Sequence, residues 1–301
     1  MSGDRRSQLD AMAIAGLLLC AALWGLNQTA TKVAVAEIPP LLQAALRSTG
    51  AALLLAGWAA WRRLPVKPAA GSWPGGLLAG ALFAAEFGCI FVGLQYTSAS
   101  RMVVFIYLAP FFVALGMPFI APGERLRGLQ TLGLVLAFAG VATAFGEGFG
   151  GATAGPRQWW GDALGVAGAA LWAGTTLTIR ASGLASASAE QTLMFQLVVS
   201  AVLLGGAGLV AGEAWPAQVS PLAWAALGFQ TIVVTFASYL LWFWLVRHYP
   251  ATQISSFTLL TPIFGLAAGV GLLGEPLTMR LVMALGAVTL GIALVSRLGR
   301  R

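Results

Sequence analysis

AALWGLNQTATK (residues 21–32) returns as AALWAGTTLTIR (residues 169–180), 148 residues further on. Trp24 aligns with Trp172, small polar residues follow both, and each copy ends on a cation, Lys32 or Arg180. The correspondence runs beyond this stretch. Gln43 matches Gln191 at the same offset of 148, and GERL (123–126) matches GEPL (274–277) at 151. Gly140 and Gly291 keep the offset of 151. Pro110 precedes Phe111-Phe112, and Pro262 precedes Ile263-Phe264 at the equivalent depth. Self-similarity at a fixed offset means one unit written twice.

The solvent for this unit is lipid. The 301 residues are 58% hydrophobic and only 9% charged, where a soluble domain carries roughly 25% charge. The apolar runs are continuous and about 20 residues long, the length of a membrane-crossing helix. Barrel strands would alternate over about 10 residues instead. The spacing predicts ten spans, at 11–33, 40–61, 74–95, 98–120, 127–145, 160–180, 190–211, 219–246, 251–273 and 279–296. The glycine-rich stretch FGEGFGGATAGPRQ (145–158) reads as a linker between a first repeat, residues 1–150, and a second, residues 151–301. The first run lacks an A-x-A-like cleavage site and is expected to stay as a span.

Orientation follows from the cations. Arg5, Arg6, Arg62, Arg63, Lys67, Arg125, Arg127, Arg180, Arg247, Arg297, Arg300 and Arg301 fall in loops on one side. Lys32, Arg101, Arg157 and Arg280 fall on the other, and Arg47 lies within a span. The cation-rich side is cytoplasmic, so both termini are expected there. These edge positions also turn the net charge of +7 into a topology signal rather than a nucleic-acid footprint. Five spans is an odd number, so the second repeat enters the membrane inverted. Inverted repeats offer two near-equivalent arrangements around a site at the midplane, which is the logic of alternating access. The fold expected is an all-α membrane protein, ten transmembrane helices as two inverted five-helix repeats.

These motifs resemble the drug/metabolite transporter superfamily, in particular ten-helix exporters with two EamA-type repeats. The resemblance rests on Trp24, Gly25 and Lys32 in the first span, on YTSAS (96–100) and its echo YPATQ (249–253), on Pro110 and Pro262, and on the GERL and GEPL turns leading to Gly140 and Gly291. It covers nearly the whole chain. It implies export of small metabolites, commonly amino acids, without ATP. Bacterial exporters of aromatic amino acids are the members the chain most resembles.

Polar groups inside the spans mark the candidate site. Glu86 lies about nine residues, roughly 14 Å, from the end of the third span. An intramembrane carboxylate faces a cavity or a partner. It could bind a substrate amine or carry a proton. Arg47, roughly 10 Å deep in the second span, could instead hold it in a structural ion pair. The position equivalent to Glu86 in the second half is Tyr239, so the halves differ chemically. Trp24, Asn27, Gln28 and Thr31 form one polar stripe, with Asn27 and Thr31 on one helix face. Trp172, Thr175, Thr176 and Thr178 form the other. Either stripe could serve interhelical hydrogen bonding, whereas the two in equivalent inverted places suit a cavity lining. Pro110 and Pro262 each interrupt a span, and paired interruptions point to a transport site. Tyr107, Phe111, Phe264, Tyr239 and Trp242 could wall an apolar solute, although any one aromatic is as readily packing. The substrate-binding set expected is therefore Trp24, Asn27, Glu86, Tyr107, Pro110, Trp172, Thr176, Tyr239 and Pro262. Lys32 and Arg180 read as cations snorkelling to the interface.

Other classes fare less well. The one histidine, His248, falls in a loop, and Asp4, Asp10 and Asp162 lie away from mid-depth. A membrane Ser–His or aspartyl site therefore lacks its parts. Cys20 and Cys89 sit in apolar runs, without the clustered ligands zinc requires. No phosphate-binding loop of the G-x-x-x-x-G-K-[ST] type occurs, and no ring of charges suggests a channel filter. The expected partners are a small-molecule substrate, an amino acid or related metabolite, and the lipid bilayer of the inner (plasma) membrane. No cofactor, metal or nucleic acid is expected, and the sequence leaves the oligomeric state open, a monomer being compatible with it. A channel-like pore is the alternative, and an intramembrane enzyme a distant third.

Overall fold

The computed structural model describes residues 10–64, 70–121, 128–149, 155–249 and 257–297. Among them the regular structure is helical. The first half contains α1 (Ala11–Val35), α2 (Pro40–Arg62), α3 (Trp73–Gly93), α4 (Ala99–Ile106), α5 (Ala109–Ile120) and α6 (Gly128–Glu147). The second contains α7 (Gln158–Ala181), α8 (Ala189–Val210), α9 (Pro221–Gly228), a π-helical segment (Phe229–Ser238), α10 (Tyr239–His248), α11 (Thr261–Leu273) and α12 (Met279–Arg297). GERL, Lys67, Arg5 and Arg6, and most of YPATQ, fall outside the described residues.

Helix starts are written locally. Asp10 accepts from the Ala13 amide at 2.8 Å, Ser98 from Arg101 at 3.1 Å and Ser220 from Ala223 at 3.2 Å. Ser188 and Gln191 form a reciprocal capping box at α8, satisfying amides that a helix start otherwise leaves bare. Gly274, at φ 64°, closes α11 in the left-handed region that favours glycine.

Six segments are long and apolar enough to cross a membrane: Ala11–Val35, Trp73–Gly93, Ala99–Ile120, Gly128–Glu147, Ala189–Val210 and Pro221–Trp242. The α2 and α7 helices have the length, 23 and 24 residues, and are less apolar. They carry Arg47 and the Trp172–Thr176 stripe. Large apolar side chains face outward around the bundle, among them Leu53 at 69% exposure, Val202 at 68% and Phe119 at 89%. In water such a surface would associate; against acyl chains it is matched.

Three spans depart from the continuous helices expected. The fourth breaks between Ile106 and Ala109, and Pro110 occupies the first turn of α5 rather than a helix interior. A proline there removes no intrahelical bond. The ninth does the same, with a 3-10 turn at Thr258–Leu260 followed by Pro262 in the first turn of α11. The eighth widens into the ten-residue π segment.

Packing follows the repeat. If each span is exchanged with its counterpart five places on, the pairing of α1 with α11 becomes that of α7 with α4 and α5, and both pairs pack. The α4–α11, α2–α8 and α6–α12 pairs map onto themselves and also pack. The same exchange holds at atomic scale. A Cβ on Gly133 would lie 2.8 Å from the Gly291 carbonyl oxygen, and one on Gly140 would lie 3.4 Å from the Ala284 Cα. At the offset of 151 read from the sequence, these two contacts are images of each other.

Candidate functional site

Trp24 projects from the middle of α1. Its indole Nε1 donates to Ser238 Oγ at 2.8 Å, and its ring sits 5.0 Å from Trp242 and 6.1 Å from Tyr239. Tyr239 lies within electrostatic reach of Arg47 on α2 and Glu86 on α3. Tyr107, at the break after α4, faces Thr261 and Tyr239. It packs edge-on against Trp172 of α7, at 5.9 Å and 90°. Helices from both repeats thus bring together Trp24, Arg47, Glu86, Tyr107, Trp172 and Tyr239. Tyr107 caps α4 three residues before Pro110, and Thr261 opens α11 one residue before Pro262, so each proline stands beside a residue of this centre.

Glu86 is 5% exposed and Arg47 2%. They feel each other's charge, but they form no ion pair. Arg47 instead lays its guanidinium over Phe87, 3.6 Å from the ring centroid, with Phe91 at 5.3 Å. Its Nε and Nη2 are buried without a hydrogen-bond partner.

Asn27 and Thr176 occupy flanking positions. The Thr31 hydroxyl donates to the Asn27 carbonyl of its own helix at 2.8 Å, while Asn27 Oδ1 and Gln28 Oε1 are buried without partners. Thr176 Oγ1 donates to its own helix at the Trp172 carbonyl, 3.1 Å away. Beside Thr31 sits a group that sequence reasoning missed. Gln230, at the start of the π segment, accepts from Gln43 Nε2 at 3.3 Å and lies 3.2 Å from the Thr31 hydroxyl. The π segment's own signature is Thr235 Oγ1 donating five residues back, to the Gln230 carbonyl, at 2.8 Å. Such segments gather at functional sites.

The end of the bundle at which α1 finishes is sealed by polar contacts. Arg101, 5% exposed, pairs with Asp162 of α7 at 2.6 Å and with Glu147 of α6 at 3.0 Å. Thr97 donates to Asp162 at 2.6 Å, and Thr278 to Glu147 at 2.9 Å. Glu275 of GEPL accepts the Ala99 and Ser100 amides of YTSAS at 2.7 and 2.8 Å, so two sequence motifs meet. Lys32 does not snorkel: its Nζ donates to the Leu94 and Thr97 carbonyls. At the same end a recess of about 470 Å³, lined by Glu37, Pro40, Val92, Gln95 and Glu213 among others, lies between α1, α2, α3 and α8. It is separate from the Trp24–Glu86 centre. Among the described residues no cluster of three His, Cys, Asp or Glu side chains could hold a metal.

A helical bundle of membrane-length spans, with a charged and aromatic centre shared between two repeats, defines a multi-pass membrane transporter. The EamA-like transporter family matches residues 11–146 and 159–297, and the chain belongs to that family. "Uncharacterized transporter YvbV" of Bacillus subtilis (strain 168) is 30% identical, over 91% of this chain and 88% of that one. "Probable amino-acid metabolite efflux pump" of Escherichia coli (strain K12) is 26% identical, over 87% of each. "Uncharacterized inner membrane transporter YedA" of the same strain is 24% identical, over 91% of this chain and 87% of that one. A solved structure described only as a protein crystal structure superposes with a TM-score of 0.65 at 21% identity, covering 96% of this chain and 99% of that one. At that identity the likeness speaks for the fold alone.

Proposed function

We propose that this chain is a secondary carrier that exports amino acids with aromatic or other apolar side chains across the plasma membrane. Both termini are cytoplasmic, and residues 1–150 and 151–301 alternate access around the shared centre. Trp24, Tyr107, Trp172 and Tyr239 wall the solute, and Glu86 faces its amine. Pro110 and Pro262 set the helix breaks at which the site lies, with Asn27 and Thr176 flanking it. The observation that carries this reading is the convergence of four aromatic residues from both repeats at two broken spans, with Glu86 coupled to one of them, Tyr239. The amino-acid metabolite efflux named for the Escherichia coli relative supports the substrate class.

The purified chain in liposomes tests it, with radiolabelled amino acids offered singly, with and without a pH gradient. Saturable flux of phenylalanine, leucine or their kin is expected, and replacing Trp24 or Tyr239 by alanine should cut it at least tenfold. Flux that never saturates would mean a pore. Amino acids left outside while other solutes enter would end the substrate assignment.

A further inference from the structure

Among the described residues the buried charge left with bare donors is Arg47. It heads the largest fully buried side chains, at 2% exposure, and its Nε and Nη2 lack any hydrogen-bond partner. Those two nitrogens form the side-on edge of the guanidinium, whose two parallel N–H groups match a carboxylate. The other resource of a buried arginine, its flat face, is already used on Phe87 at 3.6 Å. That stack fixes the plane and leaves the edge to be filled. The fold does not demand a cation here. At the repeat offset of 148 the equivalent of Arg47 is Phe195, which packs edge-on against Trp73 at 5.4 Å. Glu86 is near enough to couple to Arg47 but too far for an ion pair. Two opposite charges held apart in a buried aromatic site are the arrangement a zwitterion bridges.

We propose that Arg47 is a substrate ligand, its free Nε–Nη2 edge receiving the carboxylate of a zwitterionic amino acid whose amine faces Glu86. This rests on the amino-acid reading above and deepens it. Recognition requires both charged groups on the solute, and the two charges come from the first repeat alone. The solute is therefore held in one orientation, its side chain against Tyr107, Trp172 and Tyr239.

The test is competition against labelled L-phenylalanine counterflow in liposomes carrying the full chain. The competitors are L-phenylalanine, phenethylamine, which lacks the carboxylate, and 3-phenylpropionate, which lacks the amine. In the wild type both analogues should compete at least tenfold more weakly than phenylalanine. In Arg47→Gln the gap between phenylalanine and phenethylamine should close to within twofold, and Arg47→Lys should fall between, since an ammonium keeps the charge and loses the fork. In Glu86→Gln the carboxylate gap should survive while the amine gap closes. If Arg47→Gln keeps full discrimination for the carboxylate, Arg47 is structural and the inference fails while amino-acid transport stands. If the wild type carries no phenylalanine, the aromatic amino-acid reading and this inference fail together. A measurement on the wild type alone covers a variant that does not fold. Phenylalanine should raise the melting temperature in detergent while phenylalaninamide leaves it unmoved, and equal protection by the amide would overturn the proposal.

Discussion

Gln230 shows how a single buried amide can tie three spans. Fully buried, it accepts from Gln43 of α2 at 3.3 Å and donates to the Ala30 and Ala226 carbonyls at 3.3 and 3.1 Å. Removing one partner of a buried bond leaves the other bare, at about 1–3 kcal/mol. Gln230→Leu should therefore lower stability by about that much in detergent unfolding. Gln43→Leu added to it should cost less than its separate effect, because the two share a bond. Additive losses would show that the pair does not act together. Outside the spans, Glu37 accepts from the Ser220 amide at 2.7 Å and hydroxyl at 2.6 Å. These bonds hold its carboxyl below the ordinary value of 4.5. A depressed value means stabilisation that is present above the ordinary value and lost as pH falls through the folded one. The melting temperatures of the wild type and Glu37→Gln should therefore differ at about pH 6 and converge at about pH 3. A constant difference across that range would remove Glu37 from the acid response.

Among the elements, the α6–α12 pair depends on missing side chains at Gly133, Gly140 and Gly291. A Cβ on Gly291 would meet the Gly133 carbonyl oxygen at 2.5 Å and the tip of Phe111 at 2.9 Å. Close backbone approach of this kind is how helices pack in lipid. Gly291→Val should force the pair apart and lower stability by about 1–3 kcal/mol, measured by unfolding in detergent. An unchanged melting temperature would mean the approach is not needed. The sequence named Gly291 and Gly140 because repetition is visible in one dimension. Trp24, Glu86 and the two prolines were legible for related reasons: a copied motif, a charge out of place in lipid, a residue without an amide hydrogen. The π segment was not, since widening a helix by one residue per turn leaves no mark on composition. Nor was Gln230, whose partners lie 187 and 199 residues away. Arg101 and Asp162 passed as loop-end charges, because their burial arises only when α4, α6 and α7 meet. The near match in depth of Arg47 and Glu86 was legible, but the stack on Phe87 that turns the guanidinium aside was not.

For the whole molecule, the proposed alternating access requires that the sealed end come apart. That end is held by Arg101 with Asp162 and Glu147, by Thr278 with Glu147, and by Glu275 on the start of α4. The Arg101–Asp162 ion pair ties α4 of the first repeat to α7 of the second, and the Thr278 hydrogen bond to Glu147 ties the start of α12 to α6. Asp162 is fully buried, and losing one partner of a buried ion pair costs about 3–5 kcal/mol. Asp162→Asn should therefore do two things at once. It should lower the melting temperature, and it should shift the population toward the state open at this end, because an interaction made in only one state biases the equilibrium by its own strength. The shift can be read with Thr97→Cys, placed beside Asp162, in a background lacking Cys20 and Cys89. A membrane-impermeant thiol reagent should modify that cysteine faster in Asp162→Asn than with Asp162 intact, and Arg101→Gln should behave alike. The reagent must act from the side opposite the termini, which tests the orientation assigned to the bundle. A stability loss with unchanged labelling would make the cluster a brace rather than a gate. Labelling that rises from the terminal side would invert the proposed topology.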